Sequence, residues 1–267
     1  MALLTRDGLV AAMAGGQFVP YYKAASRTTI AGVWFSMFDL IGIPAAGVLS
    51  GVNTASGVVP DATVAGFPLM SAFGGGTTGY VSNIDFGNTV AGRYGIFDCL
   101  WKAGAYSFGS VVSLATQPSY SSRVPGGTDF SNTSIWLECV TAFTGNQSIA
   151  ITYTNQAGVT GRTTGTVATN IAPIVGRLFR MPLQAGDTGV QKIESVTASV
   201  ATVGTFNVLV LRYIAMPRVR LINDGGVLGP DLTGLPTVFA LSAIYVMFSA
   251  DSTSTGTPEM QIQVING

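Results

Sequence analysis

The sequence predicts an all-β protein: a β-sandwich or jelly roll with a short N-terminal helix and an extended arm. Three observations carry this. Glycine fills 34 of 267 positions, well above the usual ~7%, which implies many turns and few long helices. Short stretches alternate apolar and polar residues with the period of a strand. No internal repeat of about 20 to 50 residues appears, which disfavours solenoids and propellers. Two regions are expected: a helix and aromatic-rich arm over 1–60, and a β-sandwich body over 61–267.

The chain begins MALLTRDGLVAAMAGG. Thr5 fits an N-cap and Asp7 a first-turn acid, so a helix to about Gly15 is expected, with Leu9, Val10 and Met13 on one face. Arg6 and Asp7 fall where a secretory signal would need its apolar core. The arm follows, with Phe18, Tyr21, Tyr22, Trp34, Phe35 and Phe38 crowded together. It either lies across its own core or inserts under a neighbouring subunit. Phe18, Tyr21, Tyr22, Trp34 and Phe35 are its candidate partner-interface residues, because aromatics carry the largest burial energy per residue.

Two stretches are apolar enough to suggest membrane spans. Residues 30–60 are cut by Gly32, Gly42, Pro44, Gly47, Gly51 and Gly57, so a continuous helix is not expected. Residues 235–250 are short and rich in Val, Ile, Phe and Tyr, which suits a buried strand. No membrane partner is expected.

Strands are expected from about Ala62 onward. Phe97, Cys99 and Trp101 should share one face, with Asp98, Leu100 and Lys102 on the other. Ile135, Leu137, Cys139 and Phe143 should point inward, and Trp136 and Glu138 outward. Ile149, Ile151 and Tyr153 alternate in the same way. The turn at 155–158 then returns the chain as a hairpin. Gly186, Asp187 and Gly189 make a turn, as does Gly204. The strand through Phe206, Val208, Val210 and Ile214 is apolar on both faces, so it should be central. MQIQVI near the end reads as one more strand.

The chemistry is limited by composition. There is no histidine and there are two cysteines. Ser-His-Asp triads, Cys-His pairs and His- or Cys-rich metal sites are therefore excluded. Asp98 and Glu138 are the candidates for a hydrolytic carboxylate pair. The plainer expectation is a surface ion pair of Asp98 with Lys102. Asn223 to Gly226 with Asp231 weakly suggests an oxygen-ligand calcium site. SAFGGGTTG lacks the lysine of a phosphate loop, and GNTVAGRYG lacks the spacing of a dinucleotide fingerprint. Tyr120, in PSYSSR, permits a glycan groove. Cys99 and Cys139 are expected as buried thiols, with a disulfide as the alternative. No catalytic residue, cofactor or metal is expected, and the chain is not expected to be an enzyme.

The charge balance is 13 basic to 13 acidic residues, charged residues make up 10%, and mean hydropathy is +0.45. Nucleic-acid binding needs clustered Lys and Arg and is not expected. A chain without net charge lacks colloidal repulsion, so burial against other subunits is expected. SIAITYTNQAGVTGRTTGT, FRMPLQAGDTGVQKIESVTASVATVGTFNVLVLRYIA and YYKAASRTTIAGVWFSMFDLIGIP resemble structural proteins encoded beside the capsid genes of tailed bacteriophages. The resemblance spans most of the chain and carries no residue-level role. It implies a virion protein that decorates or cements a capsid, often as a trimer. It also implies the major capsid protein as partner, the capsid surface as location and the bacterial host cytoplasm as place of synthesis. A head-fibre or tail receptor-binding module that holds a glycan is the alternative.

Overall fold

The computed structural model describes residues 5–50, 52–73, 78–114, 116–170, 173–199 and 203–267. The elements run α1 (Arg6–Ala14), β1 (Gln17–Lys23), β2 (Trp34–Ser36), β3 (Gly42–Ile43), β4 (Gly79–Asn88), β5 (Gly92–Ser107) and β6 (Val111–Ser113). Then come β7 (Thr133–Thr141), β8 (Ile149–Asn155), β9 (Arg162–Thr163), β10 (Leu178–Arg180), β11 (Val190–Ala198) and β12 (Thr205–Ala215). The chain closes with β13 (Arg218–Val219), β14 (Asp224–Leu228), α2 (Pro230–Thr233), β15 (Thr237–Val238), β16 (Ile244–Ala250) and β17 (Glu259–Asn266).

These strands build three antiparallel sheets. The first has the order β14-β4-β17-β1-β3, with β15 also on β4; the second is β10-β7-β12-β5-β16-β2, with β13 on β5; the third is β6-β11-β8-β9. The second sheet is the middle layer, and alternation along its strands shows what it packs against. Tyr94 and Ile96 of β5, with Val246 and Phe248 of β16, meet Val19, Ile84 and Ile262 of the first sheet. Farther along the same face, Leu137, Val208 and Val210 meet Ile149, Ile151, Tyr153 and Ile193 of the third sheet. One face of the middle sheet therefore supports two cores side by side.

The other face is buried too. Phe97, Cys99, Trp136, Leu209, Leu211, Tyr245 and Met247 pack beneath Phe38, Leu49 and Phe67, which lie in the irregular chain between β2 and β4. The expectation that Trp136 and Glu138 point outward is therefore corrected. They do lie opposite Ile135 and Leu137, but this face is buried as well: Trp136 packs on Phe97, and Glu138 is enclosed by Lys102, Asn207 and Tyr245 beneath the irregular segment. β12 is central, between β5 and β7, as its two apolar faces require.

A β-bulge changes the register of β5. Val210 of β12 sits opposite Trp101, but Leu211 sits opposite Cys99, so Leu100 is the extra residue. Beyond it the alternation is reversed. Trp101 joins Leu100 in the core against the third sheet, and Lys102 moves to the face of Cys99. The expected grouping of Phe97, Cys99 and Trp101 fails for this reason. The Trp101 indole Nε1 donates to the Ser56 carbonyl at 3.1 Å. Gly57, at φ +67°, is the close-approach point, because a Cβ there would lie 2.4 Å from the indole.

The helix forms as expected: the Gly8 N–H donates to Thr5 Oγ1 at 3.0 Å and Gly15 closes the C-terminus. It buries no residue, and Val10 is exposed. Its tie to the body is Gln263 Nε2, which donates to the Met13 carbonyl at 2.8 Å. Residues 17–43 supply strands to the body's own sheets. β1 lies between β17 and β3, with Val19 and Tyr21 in the core, and β2 pairs with β16. No helix among the described residues is long and apolar enough to cross a membrane. The expectation that strands begin near Ala62 is corrected in both directions: β1, β2 and β3 lie before it, and the described chain from residue 62 to the start of β4 is irregular.

The hairpin of β8 and β9 forms, with Thr152 opposite Thr163. Asn155 Oδ1 accepts from the N–H groups of Ala157 and Val159, and Gly158 takes φ +81°. Asp187 ties this hairpin to the β10–β11 turn. It accepts from Arg162 Nε at 2.9 Å, Tyr153 Oη at 2.7 Å and Asn155 Nδ2 at 2.7 Å. The Arg162 hydrogen bond, with those from Tyr153 and Asn155, holds the carboxyl at about 2 against the opposing effect of burial. Its contribution to stability is present above the unfolded pKa and is lost as pH falls through about 2.

Cys99 and Cys139 are free and buried. They lie in different cores, on opposite faces of the middle sheet. Burial pushes both thiols up to about 12. Thiol titration of the native protein should therefore find no reactive sulfur, and the denatured protein should show two without added reductant. Two unreactive sulfurs in the denatured, unreduced state would mean a disulfide.

Candidate interaction surface and buried charge clusters

The five expected interface residues divide between core and surface. Tyr21 and Phe35 are packed in the chain's own core. Trp34 is half-buried. Phe18 is 53% exposed and Tyr22 43%. Strand alternation explains the split: Phe18, Pro20 and Tyr22 point to the outer face of the first sheet, while Val19 and Tyr21 point inward.

Phe18 and Tyr22 belong to an apolar margin that the sequence did not single out. Tyr22 pairs with Ile43 on the edge strand β3, and Ile43 is 55% exposed. A hollow of about 500 Å³ follows, lined by Pro20, Ile43, Val64 and Leu69, with Leu69 exposed at 68%. On the other side of Tyr22, a groove of about 870 Å³ crosses the sheet. The register places Tyr22 beside Glu259 and Glu259 beside Gly87, with Gln261 beside Asp85 in the parallel row. Glycines 87, 225 and 226 keep the groove floor flat. At the edge, Lys23 turns inward and donates to the carbonyls of Leu40 and Pro44 at 2.9 and 2.8 Å. Burial lowers its pKa to about 8, with Asp39 opposing the shift.

A second groove, of about 860 Å³, lies over the outer end of the middle sheet. Trp34, Phe97, Trp136 and Tyr213 line it, with Arg180 and Met216 at its rim. Phe97 meets Trp136 and Tyr213 edge-to-face at 5.8 and 5.9 Å.

Asp98 and Glu138 are both fully buried, and each has its own cations. Asp98 is not paired with Lys102 at the surface, because the bulge carries Lys102 to the opposite face. Asp98 instead accepts from Arg123 Nη2, from Arg212 Nη2 at 3.3 Å and from Ser242 Oγ at 2.7 Å. Arg123 comes from the short 3-10 turn Ser121–Arg123 and also donates to the carbonyls of Pro60 and Cys99. Asp98 sits between Ile96 of one core and Leu100 of the other, so this cluster stands at the seam between them. Glu138 lies 3.1 Å from Lys102 Nζ and accepts from Tyr245 Oη at 2.6 Å and Asn207 Nδ2 at 2.8 Å. Burial alone would raise the Glu138 pKa, but Lys102 and the hydrogen bonds from Tyr245, Asn207 and Ser36 outweigh it and hold the carboxyl below its ordinary value.

Other expected features are placed as follows. Tyr120 does not line a groove: it is buried, and its hydroxyl donates to the Val190 carbonyl at 2.9 Å. Asn223 precedes β14 with φ +53°, Asp224 starts the strand, and Asp231 lies in α2. Among the described residues no three His, Cys, Asp or Glu side chains gather to hold a metal. Residues 74–77 of SAFGGGTTG lie outside the described residues. GNTVAGRYG forms the end of β4, the turn and the start of β5.

No family model matches the chain, and no curated protein matches it. Among solved structures, it is similar to the infectious bursal disease virus VP2 subviral particle, with 12% identity and a TM-score of 0.19 over 94% of this chain and 80% of that one. A likeness this distant bears on neither topology nor role.

The Asp98 cluster makes a direct prediction. Asp98→Ala leaves Arg123 and Arg212 buried without their carboxylate, which should cost about 3–5 kcal/mol. Denaturant unfolding of the variant should show the loss as a lower midpoint. A change within experimental error would mean the cluster is solvated.

Proposed function

We propose that this chain is a non-enzymatic structural protein of a bacteriophage virion. It decorates or cements the capsid as a homotrimer that packs between major capsid protein subunits. The observation that carries the reading is the exposed apolar margin of Phe18, Tyr22 and Ile43 on the outer face of the first sheet, continued by Leu69 of the irregular chain beside it. An exposed apolar strip beside a flat groove is the kind of surface that a protein partner covers. The resemblance of long stretches of the sequence to tailed-phage structural proteins supplies the virion context. The use of the chain's buried carboxylates as paired, structural charges supports a role without turnover.

Light scattering on the intact protein should give a trimer, and co-sedimentation should place it on capsids. Phe18→Ser with Tyr22→Ser should weaken capsid association about tenfold or more, since truncating interface aromatics commonly costs over ~1 kcal/mol each. Both residues point away from the core, so the fold should be kept. A soluble monomer that ignores capsids would defeat the reading.

A second reading, a head-fibre or tail module that binds a glycan, is supported by the groove itself. Tyr22 offers a stacking face there, and Asp85, Glu259 and Gln261 offer acceptors and an amide. Copy number separates the two: many copies per particle suit a cement and a few suit a fibre or tail. Neither reading includes hydrolysis. Incubation with cell-wall glycans and surface polysaccharides should release no reducing ends above background. Sustained release that is lost in Asp85→Asn/Glu259→Gln would make the chain an enzyme.

A further inference from the structure

Lys102, Glu138 and Asn207 stand on three adjacent strands, β5, β7 and β12, and share one face of the middle sheet. Asn207 is directly opposite Glu138, and Lys102 is opposite Leu209. All three are buried. Lys102 Nζ lies 3.1 Å from Glu138 Oε2, and Asn207 Nδ2 donates to that same oxygen at 2.8 Å. A primary amine and a carboxamide thus meet on one carboxylate.

Two atoms of this group are left over. Lys102 Nζ and Asn207 Oδ1 are buried and make no hydrogen bond among the described residues. The Lys102 contact with Glu138 is an ion pair and not a hydrogen bond. Buried polar atoms are rarely left in this state. The surroundings are dry and aromatic. The Lys102 ammonium sits 4.3 Å over the Phe38 ring, and Phe38 stacks on Tyr245 at 6.1 Å. Asn207 is held from behind, where Nδ2 also donates to the Leu49 carbonyl at 2.7 Å.

We infer that Lys102 and Asn207 join in an intramolecular isopeptide bond, with Glu138 as the proton-transfer group. Glu138 first takes a proton from the Lys102 ammonium across their contact, which leaves a neutral amine with a free electron pair. That pair attacks Cγ of Asn207 and forms the new C–N bond. Glu138 returns its proton to Nδ2 as the Cγ–Nδ2 bond breaks, and takes another from the attacking nitrogen. Ammonia leaves. The reactants are a lysine ammonium, a carboxamide and a carboxylate. The products are a secondary amide, ammonia and a protonated Glu138. Charge and atoms balance, and nothing is oxidised or reduced.

Physical chemistry favours the products at this place. A buried ammonium and carboxylate are replaced by neutral groups, which removes the desolvation cost of both ions. The folded sheet holds amine and amide together, so the bimolecular encounter cost is already met. Glu138's preference for the carboxylate form keeps the neutral pair scarce, so the reaction is a slow, single event after folding. The bond would tie β5 to β12 at the centre of the middle sheet. It stands whether or not the chain belongs to a virion.

Mass spectrometry tests this. The folded chain, held at neutral pH until its mass is constant, should be lighter than its sequence mass by one ammonia molecule. Trypsin cannot cut after an acylated Lys102, so the digest should contain residues 94–123 joined to residues 193–212. Asn207→Ala, and separately Lys102→Met with Glu138→Gln, should restore the full mass and abolish the branched peptide. Should those variants fail to fold, the native mass and the branched peptide still decide. A native chain at full sequence mass, or an ammonia loss located at any other residue, overturns the proposal.

Discussion

The structure depends on neutralising charges inside a sheet that is buried on both faces. β5, β7 and β12 carry Asp98, Lys102, Glu138 and Arg212, and all four are buried. An isolated ion in such a place is too costly to keep, so each must find a partner on another element. Asp98 draws Arg123 from the 3-10 turn, Arg212 from β12 and Ser242 from the chain before β16. Glu138 draws Lys102, Asn207 and Tyr245 from three further strands. These demands fix which elements lie against the middle sheet and in what register. Apolar contacts alone are more tolerant of sliding.

The bulge at Leu100 decides which charge goes where. Without it, Lys102 would share the face of Asp98, where two arginines already stand, and Glu138 would lack its cation. With it, each face receives one carboxylate and its own cations. The same extra residue turns Trp101 into the core against the third sheet and brings the chain at Gly57 over the indole. One inserted position thus sets the charge balance of two faces and the seating of the largest side chain in the core.

Much of this was legible in the sequence, for identifiable reasons. The helix was marked by Thr5 and Gly15, the hairpin by Asn155 and Gly158, and the central strand by its two apolar faces. These signals are local and depend on residues a few positions apart. What was not legible depended on distant chain. The outward assignment of Trp136 and Glu138 assumed a solvated face, yet the irregular segment that covers it starts about a hundred residues earlier. The surface ion pair of Asp98 with Lys102 assumed unbroken alternation. A usable signal was nevertheless present: DCLWK, WLEC and VLVLRYI each place a charge within an apolar strand. A charge flanked by large apolar residues on both faces must itself be buried and must therefore be paired. The interface residues show the converse. Five aromatics were grouped by composition, and only their alternation in β1 and β2 separates the exposed Phe18 and Tyr22 from the buried Tyr21 and Phe35.

Interior pairing also shapes the surface. The chain has few charges, and Lys23, Asp98, Lys102, Arg123, Glu138 and Arg212 are spent within the fold. The surface is therefore poorer in charge than the composition suggests, and Ile41, Ile43, Val48, Val64 and Leu69 stand exposed in its place. Charged side chains are almost never fully buried unless paired, so the burial of these six is the unusual feature; most aliphatic side chains still lie in the core. Charged side chains on a surface keep proteins apart and discourage non-specific contact. A surface with fewer ions has less of that protection, and its exposed apolar area is of the kind that association would remove from water. The paired interior and the charge-poor exterior thus follow from one allocation of a small number of charges.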